Sequence, residues 1–365
     1  MTGEGSPPPG GKRRRVGLAC SDEVRRSYVD PADVARLERV ADFSYEAFAV
    51  ASQLGAPAPR DPAAEAALGR FASELDVLIV CHGAPYVGSG VLDGAPGLSL
   101  LGELEGDRFG YRLDIAAAHE RGIHVVDTSH GSSGPTAEWA LGLALIGLRN
   151  AGALFRRILA REPTFLPAAE RSGPGYERAE LTGKTVGMIG FGHIARRLVD
   201  LLRPFEVEIR AFDPFVPRDL ADAYGVVFGP LATVVESDVV FVLVPHTPAT
   251  EAMLGAAELE RLRPGSVFVN VARGKVVDMD ALLARLRRGD LIACLDVFDP
   301  EPMPLDSPFV DLPNVFLSPH IGGVTEESRR RFFSLMVDEC LRHFAGFEPL
   351  AELTSEIVRL RSTGR

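Results

Sequence analysis

The sequence predicts an α/β protein that consists of two doubly wound, parallel-sheet domains. The chain has 365 residues, which is enough for two domains of about 100–200 residues each. Its composition, with 46% hydrophobic and 24% charged residues, is typical of a folded globular protein. Short apolar runs alternate along the chain with longer stretches of helical spacing. This alternation is the pattern of βαβ units in a parallel sheet.

The first part of the chain contains four of these apolar runs. They predict strands over residues 16–20, 76–80, 98–101 and 124–126. Residues 1–14 begin with a proline- and glycine-rich segment, so we expect a disordered tail there. A helix is predicted from Ser133 to Asn150, because Ser133 can cap it and Pro135 suits its first turn. Its small residues would let another backbone approach closely, namely Ala140, Gly142, Ala144 and Gly147.

A second series of apolar runs follows with greater regularity. It predicts strands over residues 185–190, 208–212, 239–244, 266–270, 292–297 and 315–317. Prolines and glycines between residues 161 and 180 predict a long loop without regular structure. Residues 326–347 carry apolar side chains every three or four positions, which predicts a long helix with one buried face.

Charge and cysteine usage exclude several classes of protein. The formal net charge of −11 would repel a phosphate backbone, so nucleic acid is not an expected partner. The apolar runs are shorter than the ~18–20 residues that a membrane span needs, and the run after the basic residues 12–15 is too short for a signal peptide. We therefore expect a cytoplasmic protein with no membrane partner. The cysteines form no CxxC pair, so we expect free thiols and no metal site; they are Cys20, Cys81, Cys294 and Cys340.

A dinucleotide-binding fingerprint occupies residues 185–197, which read TVGMIGFGHIARR. Gly190 permits a sharp turn after the strand, and Gly192 has no Cβ that would keep backbone N–H groups from a pyrophosphate. Asp213 ends the next strand, 21 positions after Gly192, where an acid would accept hydrogen bonds from the ribose hydroxyls. This carboxylate would repel a 2′-phosphate, so the expected cofactor is NAD. The cofactor contacts predicted in the turn are Gly190, Phe191, Gly192, His193 and Ile194.

Three further motifs follow the fingerprint in order. They are NVARGKVVD at residues 270–278, LDVFDPEP at 295–302 and LSPHIGG at 317–323. With the fingerprint, they resemble the D-isomer-specific 2-hydroxyacid dehydrogenase family. The resemblance implies a flavodoxin-like substrate domain at residues 15–132 and an inserted NAD domain at 133–321. It also implies a C-terminal helix within 322–365 that returns to the substrate domain, and an active site in the cleft between the domains.

The resemblance also implies roles for individual residues. Arg273 would bind the substrate carboxylate, and its planar guanidinium suits a bidentate contact. Glu301 and His320 would handle the proton, since negative charge grows on the carbonyl oxygen when hydride adds to a 2-keto acid. Asp296 would face the nicotinamide carboxamide. The remaining predicted cofactor contacts are Pro245, Thr247, Ala272 and Gly323.

This chain departs from the family pattern in its first half. The segment 103–115, which reads ELEGDRFGYRLDI, carries acids where the family's turn binds the substrate carboxylate. The family's arginine-serine loop is replaced by Cys81, His82 and Gly83, although the backbone of His82 and Gly83 could still contact the substrate. Arg108 and Arg112 would either recognise a second charged group on the substrate or lie solvated on a surface loop. Trp139 replaces a common histidine of the family and is expected to pack.

These features predict an oxidoreductase that interconverts a 2-keto acid and a D-2-hydroxy acid with NAD(H). The family resemblance implies a homodimer, with the helix at 135–150 and the loop at 161–180 as the candidate interface. The alternative is an NAD-responsive binding protein of the corepressor type, because such proteins share this fold and its catalytic residues.

Overall fold

The computed structural model of the chain describes residues 13–51, 57–106, 108–163 and 179–362. These residues form two compact units. Unit 1 comprises the chain up to Ser132 together with Glu326–Ser362, and unit 2 comprises Ser133–Thr325. None of the helices in the described ranges is both long and apolar enough to cross a bilayer. Residues 1–12 of the predicted tail and most of the predicted loop at 161–180 lie outside the described residues.

Unit 1 contains a five-stranded parallel sheet in the order β2-β1-β3-β4-β5. This is the flavodoxin-like strand order. The elements from the first part of the chain are β1 (Arg14–Cys20), α1 (Asp22–Tyr28), α2 (Pro31–Leu37), β2 (Ala41–Ala47), α3 (Pro62–Ala72), β3 (Val77–Val80), α4 (Ser89–Asp93), β4 (Leu100–Glu103), α5 (Ile115–Glu120) and β5 (His124–Asp127).

Unit 2 contains a seven-stranded parallel sheet in the order β12-β11-β10-β9-β6-β7-β8. From the β8 end, the first six strands follow the doubly wound order 3-2-1-4-5-6, and β12 adds a seventh. The elements are α6 (Ser133–Leu148), α7 (Ala151–Leu159), β6 (Thr185–Ile189), α8 (His193–Leu202), β7 (Glu208–Phe212), α9 (Arg218–Tyr224), β8 (Val227–Phe228), α10 (Leu231–Val234), β9 (Val239–Val242), α11 (Ala256–Glu260), β10 (Val267–Asn270), α12 (Met279–Leu286), β11 (Ile292–Leu295) and β12 (Val315–Leu317).

The C-terminal part of the chain adds two helices to unit 1, α13 (Glu326–Phe344) and α14 (Ser355–Ser362). The apolar stripe of α13 is buried in a cluster with strands β1, β3 and β4. Gly102 of β4 makes room for this helix, because a Cβ at Gly102 would lie 2.5 Å from Sδ of Met336. The stripe seen in the sequence is thus the face that covers the sheet.

The two parallel sheets confirm the predicted fold class. Two strands were absent from the prediction. Strand β2 is an edge strand in which four of the seven residues are exposed, and it carries Asp42 and Glu46, so it lacks an apolar run. Strand β8 has only two residues, Val227 and Phe228, too few for any periodicity.

Helix α6 packs three of its four predicted small residues, Ala140, Ala144 and Gly147, into its own unit. Ala140 and Ala144 are buried in the core of unit 2. A Cβ at Gly147 would lie 2.5 Å from Cγ1 of Val267 in β10, so this glycine lets the helix approach its own sheet. These three small residues therefore serve packing within unit 2, and a subunit interface formed by the helix at 135–150 and the loop at 161–180 stays a prediction.

Unit 1 holds a buried ion pair between Glu103 and Arg112. An Nη1 of Arg112 donates to Oε1 of Glu103 at 2.6 Å, and both side chains are buried. Within the described residues, Oε2 of Glu103 has no hydrogen-bond partner. Burial raises the pKa of Glu103 to about 7 although Arg112 opposes the shift, and the neighbouring buried Asp127 adds to it.

This raised pKa predicts that the protein loses stability as pH rises from about 5 to 8. Between pH 4.5 and about 7 folded Glu103 holds a proton that the unfolded chain has released, so the free energy of unfolding falls by up to about 3 kcal/mol, and the fall ends once folded Glu103 has ionised. Urea unfolding at pH 5, 6, 7 and 8 measures the fall. Glu103→Gln cannot titrate and should show a smaller one, while Asp127 titrates in both proteins. Equal falls in the two proteins would contradict the assignment.

Candidate functional site

The unit 2 sheet brings most of the predicted site residues to one edge. All seven strands are parallel, so their carboxyl ends lie on the same side of the sheet. Each predicted residue follows one of these ends within a few positions. Gly190 follows β6, Asp213 follows β7, Pro245 follows β9, Arg273 follows β10, Asp296 and Glu301 follow β11, and His320 follows β12.

The glycine turn after β6 has the geometry that a dinucleotide requires. Gly190 has φ +97°, and a Cβ there would lie 2.9 Å from the backbone nitrogen of Val244. Gly192 is the N-cap of α8 and has no side-chain cap, and a Cβ there would meet no atom within 4 Å. Open space therefore lies before the helix N-terminus, where the positive end of the helix dipole favours an anion. These features fit the pyrophosphate of NAD.

Asp213 lies at the end of β7, next to this turn. Its Oδ2 accepts the N–H of Phe191 at 2.8 Å, and its Oδ1 accepts the N–H of Phe215 at 2.9 Å. Each carboxylate oxygen keeps further lone pairs that could accept hydrogen bonds from ribose hydroxyls. The ring of Phe191 packs edge-on against Tyr224 and Phe228 in the core, so its predicted cofactor contact can come only from the backbone.

The segment after β9 forms a tight turn. Thr250 closes it, because its hydroxyl donates to the carbonyl of Pro245 at 2.7 Å and accepts the N–H of Thr247 at 2.8 Å. Thr247 is buried, which fixes the position of the turn beside the end of β9. Thr250 was not singled out from the sequence, although threonine hydroxyls are known to bond nearby backbone groups in turns.

Arg273 is positioned by the turn that follows β10. Oδ1 of buried Asn270 accepts the N–H of Ala272 at 3.0 Å, and its amide group donates to the carbonyl of Arg273 at 3.2 Å. The next residue must be glycine, because a Cβ at Gly274 would lie 1.9 Å from the carbonyl oxygen of Phe298. Asn270 and Gly274 therefore set the backbone from which the Arg273 side chain extends.

His320 and Glu301 form a hydrogen-bonded pair. Nδ1 of His320 contacts Oε1 of Glu301, and the two side chains are 23% and 32% exposed. The contact engages one ring nitrogen and leaves Nε2 as the atom that can exchange a proton with a ligand. A carboxylate that accepts the Nδ1 proton fixes the tautomer and stabilises an imidazolium.

The loop that carries His320 is held by Asp296, whose side chain is only 1% exposed. Its Oδ1 accepts from the hydroxyl of Ser318 at 2.5 Å and from the N–H of Ile321 at 3.1 Å. Its Oδ2 accepts the N–H of Gly322 at 2.9 Å. The indole N–H of Trp139 donates to Oδ1 as well, at 3.2 Å. Trp139 was expected only to pack, so this hydrogen bond is a finding of the structure.

In unit 1, His82 belongs to a chain of polar contacts. Its Nδ1 accepts from Nη2 of Arg112 at 2.6 Å, and its Nε2 lies 3.3 Å from Oε2 of Glu105. Glu105 also accepts the hydroxyl of Tyr28. The next residue, Gly83, has φ +95°, and a Cβ there would lie 2.6 Å from the backbone nitrogen of Ser21. The loop at His82 is thus fixed by both side-chain and backbone contacts.

The structure contradicts both sequence-based roles considered for Arg112. It is neither solvated nor open to a substrate, because its buried guanidinium contacts Glu103, His82 and the carbonyl of Glu105. The guanidinium of Arg108 donates to the carbonyls of Asp127 and Glu352. The sequence signal that could have revealed the ion pair is the proximity of Glu103 and Arg112 in one short segment.

The ligand atoms of Cys81, His82 and Glu105 lie within 4.8 Å of one another, a spacing that could suit a metal ion. The hydrogen bonds argue against this use. If Nε2 of His82 bound a metal, the ring proton would sit on Nδ1, yet Arg112 donates a proton to that atom. Burial also raises the pKa of the Cys81 thiol well above its usual value, which disfavours the thiolate that a metal needs. These residues are better explained as a hydrogen-bonded network.

Comparison with a family model gives a match over residues 142–322. The model describes the NAD binding domain of D-isomer specific 2-hydroxyacid dehydrogenase. The matched range includes the glycine turn, Asp213, Arg273 and His320. The strand-end residues of unit 2 thus coincide with the matched domain.

Curated relatives and solved structures resemble the chain over most of its length. It is 31% identical over 293 residues to D-3-phosphoglycerate dehydrogenase of Methanocaldococcus jannaschii, covering 79% of this chain and 52% of that protein. It is 30% identical to glyoxylate reductase of Korarchaeum cryptofilum, covering 75% and 81%. The apo structure of Rhodotorula graminis D-mandelate dehydrogenase has a TM-score of 0.77 at 23% identity, covering 93% and 97%. The chain spans about half the length of the phosphoglycerate dehydrogenases that it matches.

Proposed function

Because the chain belongs to the D-isomer specific 2-hydroxyacid dehydrogenase family, we propose that it interconverts a 2-keto acid and a D-2-hydroxy acid with NAD(H). The observation that carries the proposal is the hydrogen-bonded pair of His320 and Glu301, held at the carboxyl edge of the NAD-binding sheet. The relatives described above are named as dehydrogenases and reductases, so they give the corepressor alternative no support.

His320 acts as the proton donor when the keto acid is reduced. NADH, when bound, supplies the hydride that adds to the carbonyl carbon. Nε2 of His320 then gives its proton to the oxygen on which negative charge develops, and Glu301 stabilises the charged ring through Nδ1. In the reverse direction the same nitrogen takes the proton from the hydroxyl group. A positioned acid of this kind contributes about 10²–10⁴ in rate.

Arg273 binds the substrate carboxylate through its planar guanidinium. Asn270 and Gly274 support this role, because they fix the backbone on each side of it. In unit 1 the backbone of His82 and Gly83 is the proposed substrate contact. Both residues lie in a loop whose position is fixed by Arg112 and Ser21.

The cofactor contacts follow the strand ends of unit 2. The pyrophosphate would lie before the N-terminus of α8, where Gly192 leaves open space, and Asp213 would accept the ribose hydroxyls. Asp296 would face the nicotinamide carboxamide through the oxygen that accepts the Gly322 N–H. The other proposed contacts are Gly190, Phe191, His193, Ile194, Pro245, Thr247, Ala272 and Gly323.

We place the reaction in the cytoplasm, whose reducing conditions suit four buried free cysteines.

The reaction is tested by NADH oxidation at 340 nm against glyoxylate, hydroxypyruvate, pyruvate, phenylpyruvate, 2-ketoglutarate and phosphohydroxypyruvate. We expect one class of keto acid to be turned over, and His320→Ala to lower kcat by about 10²–10⁴ with NADH binding retained. His119→Ala, a change at the end of α5 in unit 1, is the matched control and should keep full activity. Unchanged kcat in His320→Ala would contradict the assignment. NADH binding without turnover of any keto acid would favour the binding-protein alternative.

We also propose that the protein is a homodimer and that α7 contributes to its interface. Phe155, Ile158 and Leu159 are 58%, 55% and 67% exposed on this helix. Between them, Arg156 anchors α7 to unit 2 by donating to the carbonyls of Val310, Leu312 and Val315. Three large apolar side chains on one anchored helix are typical of a surface that another molecule covers.

The dimer is tested by light scattering after size-exclusion chromatography. The wild type should have twice the 39.2 kDa mass of the chain, and Ile158→Glu should shift it towards the monomer because a buried unpaired charge is costly. Val227→Glu is the matched control, since Val227 is 60% exposed on the short strand β8. A monomeric wild type, or a dimer unaffected by Ile158→Glu, would contradict the proposed interface.

A further inference from the structure

We propose that Trp139 is a positioning residue for the reaction, and that it fixes the loop carrying His320 through its indole N–H. This inference rests on the proposed function, because it assigns Trp139 a role only through His320. Trp139 lies on α6, at the start of the unit 2 chain, whereas the loop follows the last strand of the sheet. The hydrogen bond from Trp139 therefore connects the loop to a separate element of the same unit.

The indole N–H is shared between two acceptors. It lies 3.2 Å from Oδ1 of Asp296 and 3.2 Å from Oγ of Ser318. The Ser318 hydroxyl in turn donates to the same Oδ1 at 2.5 Å. Trp139, Asp296 and Ser318 thus form a closed triangle of hydrogen bonds, in which the only indole of the sequence is a donor.

The Asp296 carboxylate of this triangle depends on all four of its hydrogen-bond donors. In the described part of the chain Asp296 takes part in no salt bridge, so its buried charge is compensated by hydrogen bonds alone. Two of the four donors are backbone N–H groups of the loop, from Ile321 and Gly322. Loss of the Trp139 donor would weaken the charge compensation that keeps these two groups in place.

The loop also contains a residue, His320, whose backbone conformation is unfavourable by itself and has to be stabilised by neighbouring groups. His320 has φ +52°, in the left-handed region that residues with a Cβ rarely adopt. Such a conformation persists where surrounding contacts determine it. Here the N–H of His320 donates to the carbonyls of Asp296 and Ser318, at 2.8 Å and 3.0 Å. The orientation of the histidine ring thus depends on the same two residues that accept the indole N–H.

The Trp139 ring also fits closely against the loop backbone. A Cβ at Gly322 would lie 2.9 Å from Cδ1 of Trp139 and 3.0 Å from Oδ2 of Asp296. On the other side, α6 is packed into the core through Ala140, Leu143 and Ala144. The indole is therefore carried by a well-packed helix and contacts the loop with both its ring and its N–H.

A purely packing role for Trp139 makes a different prediction from a positioning role, because packing needs the ring and not the N–H. Trp139→Phe retains an aromatic ring and removes only the donor. We expect it to lower kcat about tenfold, the effect of losing one hydrogen bond to a buried charge, with the Kd of NADH nearly unchanged and the melting temperature lowered by only a few degrees. In a His320→Ala background the same change should cause no further loss, because Trp139 acts through His320.

Hydrogen exchange supplies a readout that does not depend on any activity. We expect backbone amides of residues 318–322 to exchange about tenfold faster in Trp139→Phe than in the wild type, with the strands of the sheet unaffected. Ser318→Ala, which removes an acceptor of the same N–H, should give the same pattern. Faster loop exchange without turnover of any keto acid would sustain the positioning role and refute the proposed function alone.

Three results would overturn the inference. Unchanged kcat and unchanged loop exchange in Trp139→Phe would show that the N–H has no role. A large fall in melting temperature together with a fall in NADH affinity alongside kcat would show a general structural role. A full tenfold loss in the His320→Ala background would show that Trp139 acts independently of His320.

Discussion

The constraint on which the carboxyl edge of the unit 2 sheet depends is the compensation of one buried negative charge. Asp296 directly follows β11, a strand that is buried on both faces, and no cation among the described residues neutralises its carboxylate. A buried charge in this position is stable only if hydrogen-bond donors surround it. The donors come from Trp139, Ser318, Ile321 and Gly322, and three of the four belong to the loop after β12. The buried charge is therefore stable only when the loop has the geometry that supplies these donors.

Close packing and hydrogen bonds also fix the main chain at other positions along the sheet edge. At Gly190 and Gly274 a neighbouring backbone comes so close that no side chain fits. Asn270 closes the turn before Arg273 with two hydrogen bonds. At Gly190 the fixed main chain offers its backbone to a ligand, whereas after Asn270 and beside Gly274 it carries the more exposed side chain of Arg273. This arrangement separates the residues that hold the site from those proposed to react.

The sequence predicted those parts of the structure that depend on the pattern of neighbouring residues. Most strands of both sheets are short buried apolar runs, so their positions could be predicted within a few residues. Strands β2 and β8 lack such runs and could not be predicted. The strand-end motifs could be predicted as a group because the carboxyl ends of parallel strands share one edge.

Long-range pairings could not be predicted in this way. The partners of Trp139 lie 157 and 179 positions away in the chain, and no pattern near Trp139 marks its N–H as a donor to a carboxylate. The small residues of α6 could have faced either a sheet or a partner, and only packing against Val267 decides between these. Arg112 resembled a surface arginine because its ion pair with Glu103 forms only when the loop between them folds back.

A crystal structure of Asp296→Asn tests the role of this carboxylate. The substitution keeps the volume of the side chain, but it replaces one acceptor oxygen with an NH2 group that must face one of the existing donors. We predict that residues 318–322 are displaced, that His320 leaves its left-handed conformation, and that its contact with Glu301 is lost. A variant that retains the loop, the φ of His320 and the contact with Glu301 would contradict the claim that this carboxylate holds His320 in place.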